Sequence, residues 1–147
     1  MFIAKNKKAY FDYEILKDFE AGMRLTGSEI KSIRAGNVNL KGSYLTELKE
    51  EIWAKDIHIS PYKFSTDKDY SPLRARKLLL NKKEIHYIMG QLNNPGITAI
   101  PLEMYLNKKG LAKLKIGVVR GKKKYDKRES IKRKDQNREI ARRMKQY

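Results

Sequence analysis

Cysteine is absent from all 147 residues, which excludes disulfides and thiolate-bound metal and suits a reducing compartment. Histidine is almost as scarce. His58 falls inside an apolar run and His86 beside the apolar stripe of an expected helix, positions where a structural or surface histidine is the ordinary reading. No apolar run approaches the roughly 20 residues a bilayer-spanning helix needs. The opening MFIAKNKKAY lacks the apolar segment and cleavage pattern of a secretory signal. No HExxH, GxSxG, phosphate-cradling glycine loop or dinucleotide fingerprint occurs. Acids such as Glu20, Glu29 and Glu103 are scattered, without a spacing that pairs them for general acid–base work. These gaps argue against an enzyme and against a membrane protein. The expectation is a cytoplasmic protein that needs neither cofactor nor metal.

Positive charge is what the chain has in excess: 34 Lys and Arg against 17 Asp and Glu, a net of +17 and a pI near 10.0. Such a balance calls for a polyanionic partner, nucleic acid before an anionic membrane surface. The charge is uneven. The stretch 121–147 holds twelve basic residues against Asp126, Glu129, Asp135 and Glu139, with Ile131, Ile140 and Met144 as its large aliphatic side chains. That apolar supply cannot offset a backbone ordering cost of roughly 1–2 kcal/mol per residue. The expected organisation is a core over 1–120 and a basic tail over 121–147, disordered when free. Within the tail, Lys122, Lys123 and Lys124 precede Tyr125, then Asp126, Lys127 and Arg128. A tyrosine in such a setting can stack on an exposed base for roughly 1–3 kcal/mol. Further on, Lys132, Arg133 and Lys134 lie in a stretch where Glu129–Arg133 and Glu139–Arg143 are favourable pairs four residues apart. An isolated helix of this length is marginal, so the tail is expected to become helical on binding.

Within the core, Tyr10 to Leu25 reads mainly as strand, with two alternating sets out of step near Asp18 that suggest a bend or two short strands. Thr26 and Glu29 have capping-box spacing, and Gly36 is a stop signal, so a helix is expected from Gly27 to Ala35. Strands follow over Tyr44–Leu48 and Ile52–Ile59, then a polar loop from Tyr62 to Pro72 and the basic cluster Arg74, Arg76 and Lys77 before three leucines. Asn81 and Glu84 cap a second helix whose Ile85, Ile88, Met89 and Leu92 form one stripe. A hairpin closes the core, with Leu102, Met104 and Leu106 before the turn 107–110 and Leu114, Ile116 and Val118 after it. Its other face then carries Lys113 and Lys115, a plausible phosphate-facing surface. Several short antiparallel strands with two or three short helices fit a mainly β fold, an OB-like closed antiparallel barrel.

In order along the chain, FEAGMRLTGSEIKSIRAGNVNLKGSY at 19–44, HISPY at 58–62, RARKLLLNKKEI at 74–85 and KIGVVRGKKKYDKRESIKRKD at 115–135 resemble the small protein B (SmpB) family, the SsrA (tmRNA)-binding proteins of bacterial trans-translation. Divergence is greatest at the extreme N-terminus, at 49–51, at 63–71 and after Arg138. The resemblance implies an OB-like barrel with added helices and a tail unstructured in free solution. It also implies binding to the tRNA-like domain of tmRNA, in a 1:1 complex with a monomer, and delivery to ribosomes stalled without a codon in the A site. Alanyl-tRNA synthetase and elongation factor Tu are then met indirectly, through the RNA. The tail is expected to enter the small-subunit decoding centre and empty messenger channel as a helix.

By position, the family's tmRNA-contacting residues fall on Glu20, Leu79 and Lys113. Around them, Glu29, Lys31, Arg34, Arg76, Lys77 and Lys115 complete the expected RNA-binding set. The family's tail motif falls on Asp126, Lys127 and Arg128, preceded by Tyr125, where many relatives carry histidine. Stacking survives that change, whereas a role needing an imidazole does not. The rival readings are a generic single-strand RNA binder of OB type, a small RNA-cleaving or RNA-modifying enzyme, and a membrane-surface binder.

Overall fold

A computed structural model describes residues 1–66 and 68–122, so the expectations for Lys123, Lys124, Tyr125, Asp126, Lys127, Arg128, Lys132, Arg133 and Lys134 lie outside the described residues. The elements run β1 (Phe2–Lys5), α1 (Lys7–Asp12), β2 (Tyr13–Met23), α2 (Gly27–Arg34), β3 (Val38–Asn39), β4 (Tyr44–Leu48), β5 (Glu51–Lys55), β6 (His58–Ile59), β7 (Arg76–Leu79), α3 (Lys82–Leu92), β8 (Ile97–Leu106) and β9 (Ala112–Gly121). The chain is mainly β, antiparallel throughout its described ladders.

Seven strands form one sheet in the order β1-β8-β9-β2-β7-β5-β4, and β3 pairs with β6 separately. The closed barrel expected from sequence is therefore not formed: the described ladders leave β1 and β4 as open edges. β4 does pack beside β8. Closure by hydrogen bonds is blocked there, because β1 already occupies the edge of β8, Phe2 opposite Tyr105 and Lys5 opposite Glu103. Asn6 extends that occupation, its amide donating to the Leu102 carbonyl at 2.8 Å and its Nδ2 to the Pro101 carbonyl at 3.0 Å. Pro101 itself has no amide to donate.

Both longer helices start where their caps dictate. Thr26 accepts from the Glu29 amide while Glu29 reaches back to the Thr26 amide at 3.0 Å, and Asn81 and Glu84 do the same for α3. The first strand expected over Tyr10–Leu25 starts later. Asn6 caps a helix of six residues that takes in Phe11, and β2 begins only at Tyr13. The break in alternation is a bulge at Leu16, where pairing with β9 shifts between Ile15 and Lys17, rather than a division at Asp18. The expected strand Ile52–Ile59, by contrast, is divided. Asp56 adopts φ +62°, so β6 leaves the large sheet to join β3.

One core fills the inner face. Ala21, Ile33, Ile52, Leu78, Ile88, Met104, Leu114 and Ile116 are all buried within it. A smaller cluster of Ala9, Ile100, Leu102 and Val119 sits under α1. Gly117 lies where the strands crowd: a Cβ there would stand 2.7 Å from Leu102 Cδ1. At the end of β9, the Lys122 amide donates to the Asp12 carbonyl at 2.9 Å and its Nζ to the Tyr10 carbonyl at 3.3 Å. Among the described residues, no helix is long and apolar enough to cross a membrane.

Candidate RNA interface

Alternation along the central strands sorts side chains into two sets. Ala21, Met23, Leu78, Leu114 and Ile116 turn inward and build the core. Glu20, Gly22, Lys77, Leu79, Lys113 and Lys115 take the opposite face. The register then lines up a row across four strands: Tyr105 on β8 opposite Lys113 on β9, Lys113 opposite Gly22 on β2, and Gly22 opposite Leu79 on β7. The next row pairs Glu103 with Lys115 and Lys115 with Glu20. Residues up to 95 positions apart in sequence are thereby neighbours on one surface.

Gly22 shapes the middle of that row. A Cβ built on it would lie 3.4 Å from Leu79 Cβ and 3.6 Å from Lys113 Nζ. Without a side chain there, an apolar group and an ammonium group face each other over bare backbone. Leu79 is 51% exposed. A groove of about 220 Å³ opens beside it, lined by Leu25, Ile30, Arg34, Leu79, Leu111 and Lys113, among others. Its walls are apolar and its rim cationic. That combination can take an unstacked base or ribose against leucine while a phosphate meets lysine or arginine.

Glu20 is exposed, and the Tyr105 hydroxyl donates to its Oε2. Burial, that bond and the charges of Glu20 and Glu103 push the Tyr105 hydroxyl up to about 12, so it stays a donor throughout the neutral range. Glu20 is thus a carboxylate held in place by a neighbour on the same face. Its other oxygen, Oε1, can accept from a base amino group. Lys115 lies 3.8 Å from Asp18, a loose and exposed pair worth little energetically.

The other expected residues divide. Arg34, on the last turn of α2, donates to the Gly110 carbonyl at 3.4 Å and lines the same groove. Lys31 stands one turn earlier, its ammonium 5.1 Å from the Tyr62 ring centre. Lys77 shares the face with Leu79 but pairs with Glu51 at 2.8 Å. Trp53 is only half-buried and sits opposite Lys77 on this outer face.

Glu29 and Arg76, expected to contact RNA, are buried, 1% and 0% exposed. Arg76 Nε donates to Glu29 Oε2 at 2.6 Å, and its other nitrogens donate to the Ile57 carbonyl, the Pro72 carbonyl and the Tyr70 hydroxyl. Arg74 also donates to Glu29, to both carboxylate oxygens. Burial pushes the Glu29 carboxyl up, but bonds from Arg74, the Thr26 amide and Arg76 more than offset it and leave it below its ordinary value of 4.5. This ion cluster ties α2, β7 and the loop before β7 together, and its Glu29 and Arg76 side chains are too deeply buried to reach a ligand. The reason is parity. Arg76 shares the inward set of β7 with Leu78, while Lys77 and Leu79 share the outward set.

A family model described as SmpB protein matches residues 3–146 of this chain. The chain belongs to the SmpB family. An SsrA-binding protein of Wolbachia pipientis subsp. Culex pipiens (strain wPip) is 52% identical to it over 140 residues, covering 95% of this chain and 94% of that one. An SsrA-binding protein of Lactococcus lactis subsp. cremoris (strain MG1363) is 52% identical over 145 residues, covering 99% and 93%. A solved structure described as "tmRNA-SmpB: a journey to the center of the bacterial ribosome" matches with a TM-score of 0.71 at 38% identity, over 89% of this chain and 95% of its own. Within this SmpB-family chain, sequence reasoning overlooked Tyr105 and Gly22. The alternation of Met104 and Leu106 already turned Tyr105 outward, so the signal was present. Gly22 carried none beyond its position in a strand.

Proposed function

We propose that this chain is the RNA-binding adaptor of ribosome rescue. It holds the tRNA-like domain of tmRNA (SsrA RNA) on its outer sheet face and delivers it to stalled ribosomes in trans-translation. The observation that carries this reading is the convergence of Glu20, Leu79 and Lys113 around bare Gly22. Three strands bring one carboxylate, one apolar group and one cation to a single surface, rimmed by Arg34, Lys31 and Lys115. The names of its SmpB-family relatives support the same RNA.

The organisation is in two parts, an RNA-holding core over 1–120 and a tail over 121–147 that probes the decoding centre and the empty messenger channel. The tail departs from the far end of β9, eight residues along the strand from Lys113, about 27 Å at the rise of an extended chain. Core and tail can therefore engage different partners at once. The sheet, curled so that β4 lies beside β8, is read as OB-like. The role needs binding and positioning, not catalysis. It places the chain in the cytoplasm, one copy per tmRNA, with alanyl-tRNA synthetase and elongation factor Tu reached through the RNA.

Competition binding tests the reading. Full-length protein is bound to the tRNA-like domain of tmRNA at near-physiological salt, with tRNA and single-stranded RNA as competitors. Neither should displace the domain easily. Equal displacement by any RNA would mean that charge alone drives association, and would leave a generic single-strand binder.

A further inference from the structure

Between β6 and β7 the chain exposes an aromatic side chain in polar surroundings. Phe64 is 73% exposed, more than any other large apolar side chain of the described residues except Met1. A lone exposed apolar residue would need no explanation, but Phe64 is not alone. The Tyr62 ring lies 5.6 Å away, edge-on at 69°. The Lys63 ammonium stands 5.6 Å from the Phe64 ring centre and that of Lys31 stands 5.1 Å from the Tyr62 ring centre.

The loop that carries these rings is anchored. Ser65 donates its amide to the Tyr62 carbonyl at 2.9 Å, and the Ser28 hydroxyl of α2 reaches the Ser65 hydroxyl at 3.3 Å. Downstream, Tyr70 is fixed by the Ile59 carbonyl and the buried Glu29. Aromatic rings held in place with lysines beside them are the elements of single-strand recognition: a ring meets the face of a base and an ammonium meets its phosphate. Position decides which ligand this is. Lys31 and Arg34 lie three apart on one side of α2. Arg34 lines the groove that also holds Leu79 and Lys113. The patch therefore continues the outer sheet face rather than opening a separate surface.

We infer that Phe64, backed by Tyr62 and flanked by Lys31 and Lys63, stacks on an unpaired base of the same RNA that lies across the outer sheet face. This rests on the adaptor reading, and the two can fail separately. Affinity for the tRNA-like domain of tmRNA is measured for the full-length chain and for Phe64→Ala, Phe64→Leu and Phe64→Trp. Phe64→Ala should raise Kd about fivefold or more, the lower limit for losing one stacked base. Its dependence on salt should not change, because no charge is removed. Phe64→Leu keeps apolar bulk without a π face and should fail like alanine. Phe64→Trp should bind at least as well as the parent. Lys63→Ala, by contrast, should lower the salt slope by about one.

Kd within twofold of the parent for both Phe64→Ala and Phe64→Leu would overturn the inference. Full rescue by leucine would also overturn it, since the contact would then be merely apolar, as with a protein partner. A parent chain with no preference for the tRNA-like domain would sink the adaptor reading instead. The same variants are then read on a short single-stranded oligoribonucleotide, with the same criteria.

Discussion

Replacing Glu29 by glutamine removes one charge from the buried cluster while keeping its shape. Glu29 and Arg76 have fully buried side chains, and Arg74 is the partner with partial access to water, at 33%. Removing one member of a buried ion pair costs about 3–5 kcal/mol, because the other is left buried and uncompensated. The lower end applies here. Arg76 keeps the Ile57 and Pro72 carbonyls, Arg74 can rehydrate, and a glutamine oxygen can still accept from the Thr26 amide, which preserves the cap. A loss of about 3 kcal/mol lowers Tm by about 9 °C at roughly 3 °C per kcal/mol for a domain of this size. The sign with pH follows from the lowered carboxyl. Its contribution is fully present above the ordinary value of 4.5 and is lost as pH falls through the folded value below that. Thermal melts by circular dichroism should therefore separate the two proteins at about pH 7 and bring them together in acid. Affinity for the tRNA-like domain, measured well below both melting temperatures, should stay within about twofold. A Tm change under about 3 °C would refute the magnitude. A fivefold or larger loss of RNA affinity in the folded variant would return Glu29 to the interface.

Other perturbations should divide core from interface in the opposite way. Leu79→Ala should weaken RNA binding by about 1 kcal/mol, roughly the half of a leucine's burial that remains to be gained, with little change in Tm; an unchanged Kd would remove Leu79 from the interface. Lys113→Ala should weaken binding and lower the slope of log K against log salt by about one unit, and an unaltered slope would mean that no phosphate sits there. Gly117→Ala should destabilise by about 1–3 kcal/mol, since its Cβ would press on Leu102 Cδ1 in a packed core; urea unfolding checks this. Truncation after Lys122 should leave binding to the tRNA-like domain nearly intact and abolish peptide tagging on stalled ribosomes, and tagging at normal rates would sink the tail's proposed role.

The parts of the fold legible in the sequence were those coded locally. Thr26 with Glu29 and Asn81 with Glu84 placed two helix starts to the residue, and Asn107 to Gly110 placed the hairpin. What escaped depended on distant partners. β1 exists because β8 offers it an edge, and β7 because β2 and β5 flank it; neither four-residue segment declares itself alone. The helix α1 was hidden by the alternation of Phe11, Tyr13 and Ile15, a strand pattern overridden by the Asn6 cap and the burial of Ala9. Sheet closure could not be read because it turns on which strand occupies the free edge of β8. Arg76 escaped for a different reason: an arginine in a basic cluster with Arg74 and Lys77 reads as surface charge, and only the register of β7 shows that it points inward at Glu29.

The same parity explains why the candidate interface can tolerate change without endangering the fold. Along β2, β7 and β9, each outward residue of the candidate face sits one position from an inward residue of the core: Glu20 beside Ala21, Leu79 beside Leu78, Lys113 beside Leu114. The strands fix the spacing of the outward set to within the tolerance of a hydrogen-bonded ladder, and no outward side chain is needed to hold it. Tyr105 is the exception that sharpens the point. Its hydroxyl spends its hydrogen bond on Glu20, a fellow member of the outer face, rather than on the core. A bond between two surface residues contributes little to stability. Its effect is to fix where a carboxylate stands beside Lys113 and Leu79. An outer face that served only solubility would gain nothing from that, whereas one that must meet a folded RNA by shape gains a fixed acceptor among its cations.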